Sequence, residues 1–364
     1  MKLIVTKSAL LAGLQVVHNV VSPRTTLPIL SNVLIVAEKN KVWLTTTNLD
    51  ITTRCSIEAD VKETGSTTLP VKRMANIVRE LPENNIELEV DDKDIATITS
   101  ASAFFKIIGI SDQDFPPVPQ QEGKYSYRID QGVFKQMLKK TSYAASKDET
   151  RYVLNGVLLS FKNGKLTMVA TDGRRLALTE QEVEFPAEAE VEVILPTKAV
   201  VELEQILGDE GELKISTKEK QIVFQFKDVM LASKLVDGTY PNYRQVIPAQ
   251  SEERIAMERE VLFSALRRVS LLATDKSTAT KLVFAKNKLT ISMNTPDVGE
   301  ARESLPVKYT GKEISVAFNA EYLMDPLKTL TTDEVALEVT DDLSPGVIKC
   351  DVPFLYVLMP IKVT

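Results

Sequence analysis

Two hydrophobic patterns alternate along the chain. In QGVFKQMLKKTSYAAS (131–146), Phe134, Met137, Leu138 and Thr141 follow the i, i+3, i+4, i+7 spacing of an amphipathic helix. Short runs such as SNVLIVAE, KVWLTTTN, YVLNGVLLSF, KLTMVATD, KLVFAKNK and KLTISMNT alternate or are apolar throughout. Tight turns separate them, several with Asn-Gly or Lys-Asn corners, so they predict antiparallel strands.

The helical segments recur. KSALLAGLQVVHNVVS (7–22), QGVFKQMLKKTSYAAS (131–146) and REVLFSALRRVSLLAT (259–274) form one set, at spacings of about 124 and 128. TTLPVKRMANIVREL (67–81), VILPTKAVVELEQIL (193–207) and VAFNAEYLMDPLKTL (316–330) form a second, at about 126 and 123. In the second set Met74, Val200 and Leu323 coincide, as do Leu81, Leu207 and Leu330. Two element sets at one spacing predict three tandem copies of one α+β domain, each with antiparallel sheets and two helices. Polar linkers at 120–125 and 248–254 place the copies at 1–122, 126–250 and 253–364.

VATDGRRLAL (169–178) holds the one acid–base constellation that resembles an enzyme site. Its counterparts in the repeat are LTTTNLDITT and ISMNTPDVGE, which put Asn48 and Thr295 in register with Asp172. A catalytic acid needs a positioned partner, and neither counterpart supplies one. Asp172 therefore reads as the first residue of a hairpin turn, where Asp-Gly suits positive φ. Arg174 and Arg175 are left without a task by that reading.

Composition narrows the function. The 364 residues are 44% apolar, enough for real cores. The apolar runs fall short of the roughly 20 residues of a membrane span, and the N-terminus lacks a signal-peptide cleavage site, so a cytoplasmic protein without membrane contact is expected. Cys55, Cys350 and the single His18 cannot build a zinc site, and no phosphate-cradling glycine motif occurs. No cofactor is expected; an enzyme with VATDGRR as an Asp–Arg site is the competing reading, which Asp172→Asn would separate from a turn.

The net charge of -6 conceals an uneven distribution. Residues 131–147 carry Lys135, Lys139, Lys140 and Lys147 and no acid. Lys72, Arg73 and Arg79 face only Glu80, while residues 180–192 hold six glutamates and no base. Cations concentrate on helices and acids on strands and their connections. Helices sharing one side would attract phosphates there, while the acidic remainder prevents indiscriminate binding. The helices interleave few aromatic residues and carry no base-reading motif, so contact with a phosphate backbone, blind to sequence, is expected.

RTTLPILSNVLI (24–35), RYVLNGVLL (151–159), ATDGRRLAL (170–178), KLVDGTYPNYRQVIP (234–248) and YVLMPIKVT (356–364) resemble the bacterial DNA polymerase III β subunit, the replicative sliding clamp, from end to end. The resemblance implies a head-to-tail homodimeric ring of six domains, helices inside and sheets outside, that encircles double-stranded DNA and confers processivity without catalysis. Implied partners are the replicative polymerase catalytic subunit, the clamp loader, and repair and translesion factors carrying the clamp-binding peptide. A clamp paralogue that scaffolds partners or confers drug tolerance is the alternative.

The same resemblance assigns residues. The peptide pocket takes Tyr152, Leu154, Thr171, Gly173, Arg174, Arg175, Leu176, Pro241, Val246, Asn319, Tyr322, Val357, Met359 and Pro360, with the two arginines at the rim. Arg24, Lys72, Arg73, Lys135, Lys139 and Lys198 face DNA. Phe105 and Ile107 meet Leu271 and Leu272 across the dimer seam, where Glu300 and Glu303 pair with bases opposite. Arg174 stands where the best-known members have histidine, Gln245 where they have arginine, and Asp148 where they have a neutral polar residue near DNA.

Overall fold

The computed structural model describes residues 1–21, 27–119, 125–248, 254–274 and 279–362. The first copy runs β1 (Lys2–Thr6), α1 (Lys7–Val17), β2 (Asn32–Glu38), β3 (Lys41–Thr47), β4 (Ile51–Glu58), β5 (Asp60–Glu63), β6 (Gly65–Pro70), α2 (Val71–Glu80), β7 (Asn85–Val90), β8 (Ile95–Ser100) and β9 (Ala103–Ile108). The second runs β10 (Tyr125–Asp130), α3 (Gln131–Thr141), β11 (Gly156–Lys162), β12 (Lys165–Thr171), β13 (Arg175–Glu182), β14 (Val191–Pro196), α4 (Thr197–Ile206), β15 (Glu212–Lys218), β16 (Gln221–Phe226) and β17 (Val229–Lys234). The third runs β18 (Arg254–Glu258), α5 (Arg259–Val269), β19 (Ala279–Ala285), β20 (Lys288–Thr295), β21 (Gly299–Pro306), β22 (Ile314–Asn319), α6 (Ala320–Thr329), β23 (Glu334–Glu338), β24 (Gly346–Lys349) and β25 (Phe354–Leu358).

The element order is one pattern written three times, with β5 added in the first copy. Each helix starts where a strand stops, at the spacings read from the sequence. Local chemistry sets these starts. The Thr6 hydroxyl accepts the Ala9 N–H, and the Asn319 carboxamide accepts those of Glu321 and Tyr322, filling donors that the first helical turn leaves open. In α1, Leu10, Gly13, Leu14 and Val17 are buried at helical spacing. Gly13 lets α1 approach closely, since a Cβ there would come within 2.8 Å of Leu44 and 2.9 Å of Ile57.

The chain divides into two compact units, Met1–Val133 with Val201–Leu235, and Phe134–Val200 with Val236–Thr364. The middle copy thus gives one sheet to each unit. In the first unit β10-β15-β16-β17-β4-β3-β2-β6 make one antiparallel sheet and β5-β1-β7-β8-β9 another. Its core includes Leu3, Leu14, Val33, Met74, Leu88 and Ile98. In the second, β14-β11-β12-β13-β25-β24-β23-β18 and β21-β20-β19-β22 are the sheets. Leu158, Val169, Ile194, Tyr243 and Val347 belong to one core cluster there.

Two strand pairs join one copy to another. β4 of the first copy pairs with β17 of the second, Thr52 opposite Ala232. β13 of the second pairs with β25 of the third, Leu176 opposite Val357. By position in the repeat these are the same junction. Among the described residues, the strand types that form it have one unpaired member each, β21 and β9. The other sheet edges are β6, β14 and β22, which precede second helices, and β10, β18 and β5.

Candidate functional site

Asp172 is a turn residue, and it has a partner. Its Oδ1 accepts the N–H groups of Arg174 at 2.9 Å and Arg175 at 3.1 Å, and its Oδ2 accepts Nε of Arg175 at 3.1 Å. Positive φ falls on Gly173 at 86° and not on Asp172, so the turn is not the two-residue type expected from Asp-Gly. Both carboxylate oxygens are occupied by the fold, which leaves no free general base.

Arg175 is the principal correction to the expected rim. Its side chain is 8% exposed. Beyond Asp172, Nη1 donates to Asp325 at 2.5 Å and Nη2 donates to the Tyr143 carbonyl at 2.6 Å. The guanidinium stacks over Tyr322, 4.1 Å from the ring centre. Burial opposes its charge, but Tyr356, Asp325 and Asp172 outweigh that and hold its pKa above the ordinary value. Burial also raises the hydroxyl pKa of both Tyr356 and Tyr143. Tyr356 donates to the Tyr322 carbonyl at 2.9 Å.

A cleft of about 530 Å³ opens beside this cluster. Of the residues expected in the pocket, Arg174, Arg175 and Tyr322 line it. Leu176 and Val357 are 2% and 3% exposed and lie opposite each other in the sheet, within the core cluster that Tyr243 joins. They form the interior that supports the site. Leu154 is nearly buried, Pro360 is half-buried, and Tyr152, Pro241, Val246 and Met359 are exposed. The Thr171 hydroxyl closes the turn by donating to the Arg175 carbonyl. Asn319 is the cap of α6. The apolar residues near the chain end are explained by β25, which completes the sheet beside β13.

Sequence reasoning missed Tyr143, Asp325 and Arg151. Arg151 donates to the Asp172 carbonyl at 3.2 Å and sits 3.8 Å from the Asp148 carboxylate. Asp148 itself caps a short turn, where the hydroxyl and N–H of Thr150 hold its carboxyl below the usual range. Asp325 lies 150 residues beyond Arg175, a separation at which no local spacing could have paired them.

Of the expected DNA-facing residues, Lys72, Arg73, Lys139 and Lys198 are exposed on their helices and Lys135 is half-buried. Arg24 lies outside the described residues. At the expected seam, Phe105 and Leu271 are exposed, 37% and 79%, and Leu272 is half-buried. Ile107 is 2% exposed and belongs to the core of the first unit, because alternation along β9 turns it inward. Phe104 and Ile108, at 64% and 77%, are the apolar groups that β9 presents outward. Glu303 is held within the chain by Arg268, at 2.5 and 2.9 Å, which lowers its pKa, and Glu300 lies 3.3 Å from Arg302.

No helix of the described residues is long and apolar enough to cross a membrane, and no group of His, Cys, Asp and Glu among them could hold a metal ion. Cys55 is buried, which pushes its thiol pKa up to about 12.

Comparison with known proteins accounts for the whole chain. Models of the N-terminal, central and C-terminal domains of the DNA polymerase III β subunit match residues 1–119, 128–242 and 244–362. The β sliding clamp of Chlamydia muridarum is 35% identical over 362 residues, covering 100% of this chain and 99% of that protein. The Synechocystis β sliding clamp is 33% identical over 388 residues, covering 100% and 99%. Among solved structures, the sliding clamp of Pseudomonas aeruginosa bound to griselimycin superposes with a TM-score of 0.96 at 32% identity, over 100% of both chains. That of Bacillus subtilis gives 0.95 at 30%, again over 100% of both. Three tandem clamp domains without catalytic function are what these relatives share, and this chain belongs to the DNA polymerase III β subunit family, the β sliding clamps.

Proposed function

We propose that two copies of this chain close head to tail into a ring around duplex DNA, which tethers the replicative polymerase and gives it processivity in the cytoplasm. The observation that carries this reading is the pair of unmatched edges. β4–β17 and β13–β25 are one junction used twice within the chain. β21 and β9 are the strands that would make it a third time, and among the described residues of one chain each lacks its mate. An unpaired edge with exposed Phe104, Phe105 and Ile108 invites strand addition. A second copy supplies the matching strand at both ends, and such heterologous contacts close a ring when the rotation permits.

Carrying the ladder register across the repeat makes the seam specific. Ala232 opposite Thr52 and Val357 opposite Leu176 correspond to Lys106 opposite Glu300, a pair of opposite charge. Phe105 then faces Ala301, beside exposed Leu271. The exposed Lys72, Arg73, Lys139 and Lys198, with Lys135 and Arg24, meet phosphates diffusely, so the ring slides. The cleft beside Arg174 and Tyr322, next to Met359, whose N–H bonds the Arg174 carbonyl, takes part of a peptide from the polymerase catalytic subunit, the clamp loader, or repair and translesion factors, and exposed Val246 and Tyr152 are further apolar contacts for it.

A sealed-ring experiment tests this. Lys106→Cys with Glu300→Cys, in a Cys350→Ser background, is loaded onto a nicked circular plasmid by a clamp loader and oxidised. Residues directly opposite on antiparallel strands lie about 4.5–5.5 Å apart, within disulfide reach. The covalent dimer is expected to stay on the circle in denaturant and to leave once the circle is cut. Equal retention on circular and linear DNA would mean direct grip and overturn the ring. A dimer that forms without this cross-link would overturn the register.

A further inference from the structure

We propose that Arg175 is a positioning residue, the buried tie that holds three separate walls of the peptide cleft in their binding arrangement, and that the ligand meets Arg174 instead. The inference rests on reading the cleft as a peptide site. The three walls are the segment around Tyr143, the Asp172–Arg174 turn, and the first turns of α6 with Glu321 and Tyr322. The second copy supplies two of them and the third copy supplies the other. Arg175 bonds to each, through the Tyr143 carbonyl, the Asp172 carboxylate and the Asp325 carboxylate, and its guanidinium lies over the Tyr322 ring.

A guanidinium has five N–H donors in a fixed plane, and Nε, Nη1 and Nη2 of Arg175 are all engaged within the chain. An arginine 8% exposed and committed in three directions has little left to offer a ligand. Without its charge, two carboxylates of 16% and 14% exposure would lose their shared counter-ion, and the ion-pair link from the turn to α6 would be broken. Asp325 would retain Lys328, at 2.8 Å, which lies on α6 itself and cannot reach back to the turn's position in the sheet. Arg174 has the opposite character. Its backbone N–H is fixed by Asp172 while its side chain is exposed at the cleft.

A tie of this kind acts on the population of the open cleft and not on any one contact with the peptide. Loss of the tie lowers the fraction of molecules ready to bind, and apparent affinity falls by that fraction. The test measures association and dissociation rates of a fluorescent peptide with a glutamine followed by an apolar end, and of its alanine-scanned series. Wild-type protein is compared with Arg175→Lys, Asp325→Asn and Arg174→Ala, all as full chains. Arg175→Lys and Asp325→Asn are expected to slow association by about tenfold, by the same factor for every peptide, with dissociation nearly unchanged. Arg174→Ala is expected to speed dissociation, with an effect that vanishes for the one peptide lacking the group it meets. Asp325→Asn keeps the shape of the site, so the question survives if the arginine variant folds poorly. Coupling of Arg175 to a single peptide position, or unchanged association in both variants, would overturn the inference alone. Absence of binding by wild-type protein would overturn the peptide-site reading and this inference with it.

Discussion

The turn at Thr47–Ile51 in the first copy and the turn at Thr171–Arg175 in the second have the same skeleton. In each, a threonine hydroxyl accepts an N–H two residues on and donates to a carbonyl four residues on. In each, the next residue's side-chain oxygen accepts two backbone N–H groups, from Asp50 and Ile51 in one and from Arg174 and Arg175 in the other. The third position is left-handed in both, at φ 75° for Leu49 and 86° for Gly173. The side chains then diverge. Asn48 donates its amide to the Val20 carbonyl, 28 residues back in the chain, and Ile51 is buried. Asp172 cannot donate, and the corresponding tie comes from Arg175, which also reaches α6. The repeat fixes the backbone and a single long cation converts the turn into part of a site.

That comparison can be broken most severely by exchanging the fifth residue. Arg175→Ile copies the first turn into the second, leaves Asp172 without its ion-pair partner and leaves Asp325 with Lys328 alone. Removing one partner of a buried pair costs about 3–5 kcal/mol, so the melting temperature should drop by several degrees. A melt matching wild type would show that the ion cluster does not stabilise the fold. Asp172→Asn should cost less, about 1–2 kcal/mol, because Asn48 shows that a neutral carbonyl oxygen can serve both backbone donors, and what is lost is the one hydrogen bond from Nε of Arg175, which would meet an amide N–H in place of Oδ2. Denaturant titration checks this, and a loss as large as that of Arg175→Ile would mean that the skeleton itself depends on the carboxylate. The smallest effect is expected from Gly173→Ala, about 1 kcal/mol for an alanine in left-handed backbone. Leu49 demonstrates that this turn accepts such a residue, and the added Cβ would come 3.1 Å from the flexible end of Arg151. An effect beyond about 3 kcal/mol in the same titration would mean that Arg151 cannot give way.

Much of the molecule was legible from spacing. Helix starts at residues 7, 131 and 259, and at 71, 197 and 320, follow the repeat because amphipathic periodicity is written locally. The assignment of Asp172 to a turn was legible for the same reason, since its counterpart Asn48 builds the identical turn. The pocket was legible only as a set of residue types. Periodicity could not say that Arg175 turns inward, because arginine is ordinarily at the surface and the pair that buries it comes from Asp172 and a residue 150 positions away. Ile107 illustrates the converse. Its apolar side chain suited either a seam or a core, and only the pleat of β9 decided between them.

The sequence by itself determined that there are three copies, where their helices begin, and that cations sit on those helices. These properties depend on contacts between near neighbours and on the period of each element. Tertiary structure alone decided how the copies are sewn together, through β4 with β17 and β13 with β25, which strands were left over at β9 and β21, and which arginine is buried. Those outcomes depend on strand register and on long-range burial of charge, where groups more than a hundred residues apart set one another's free energy.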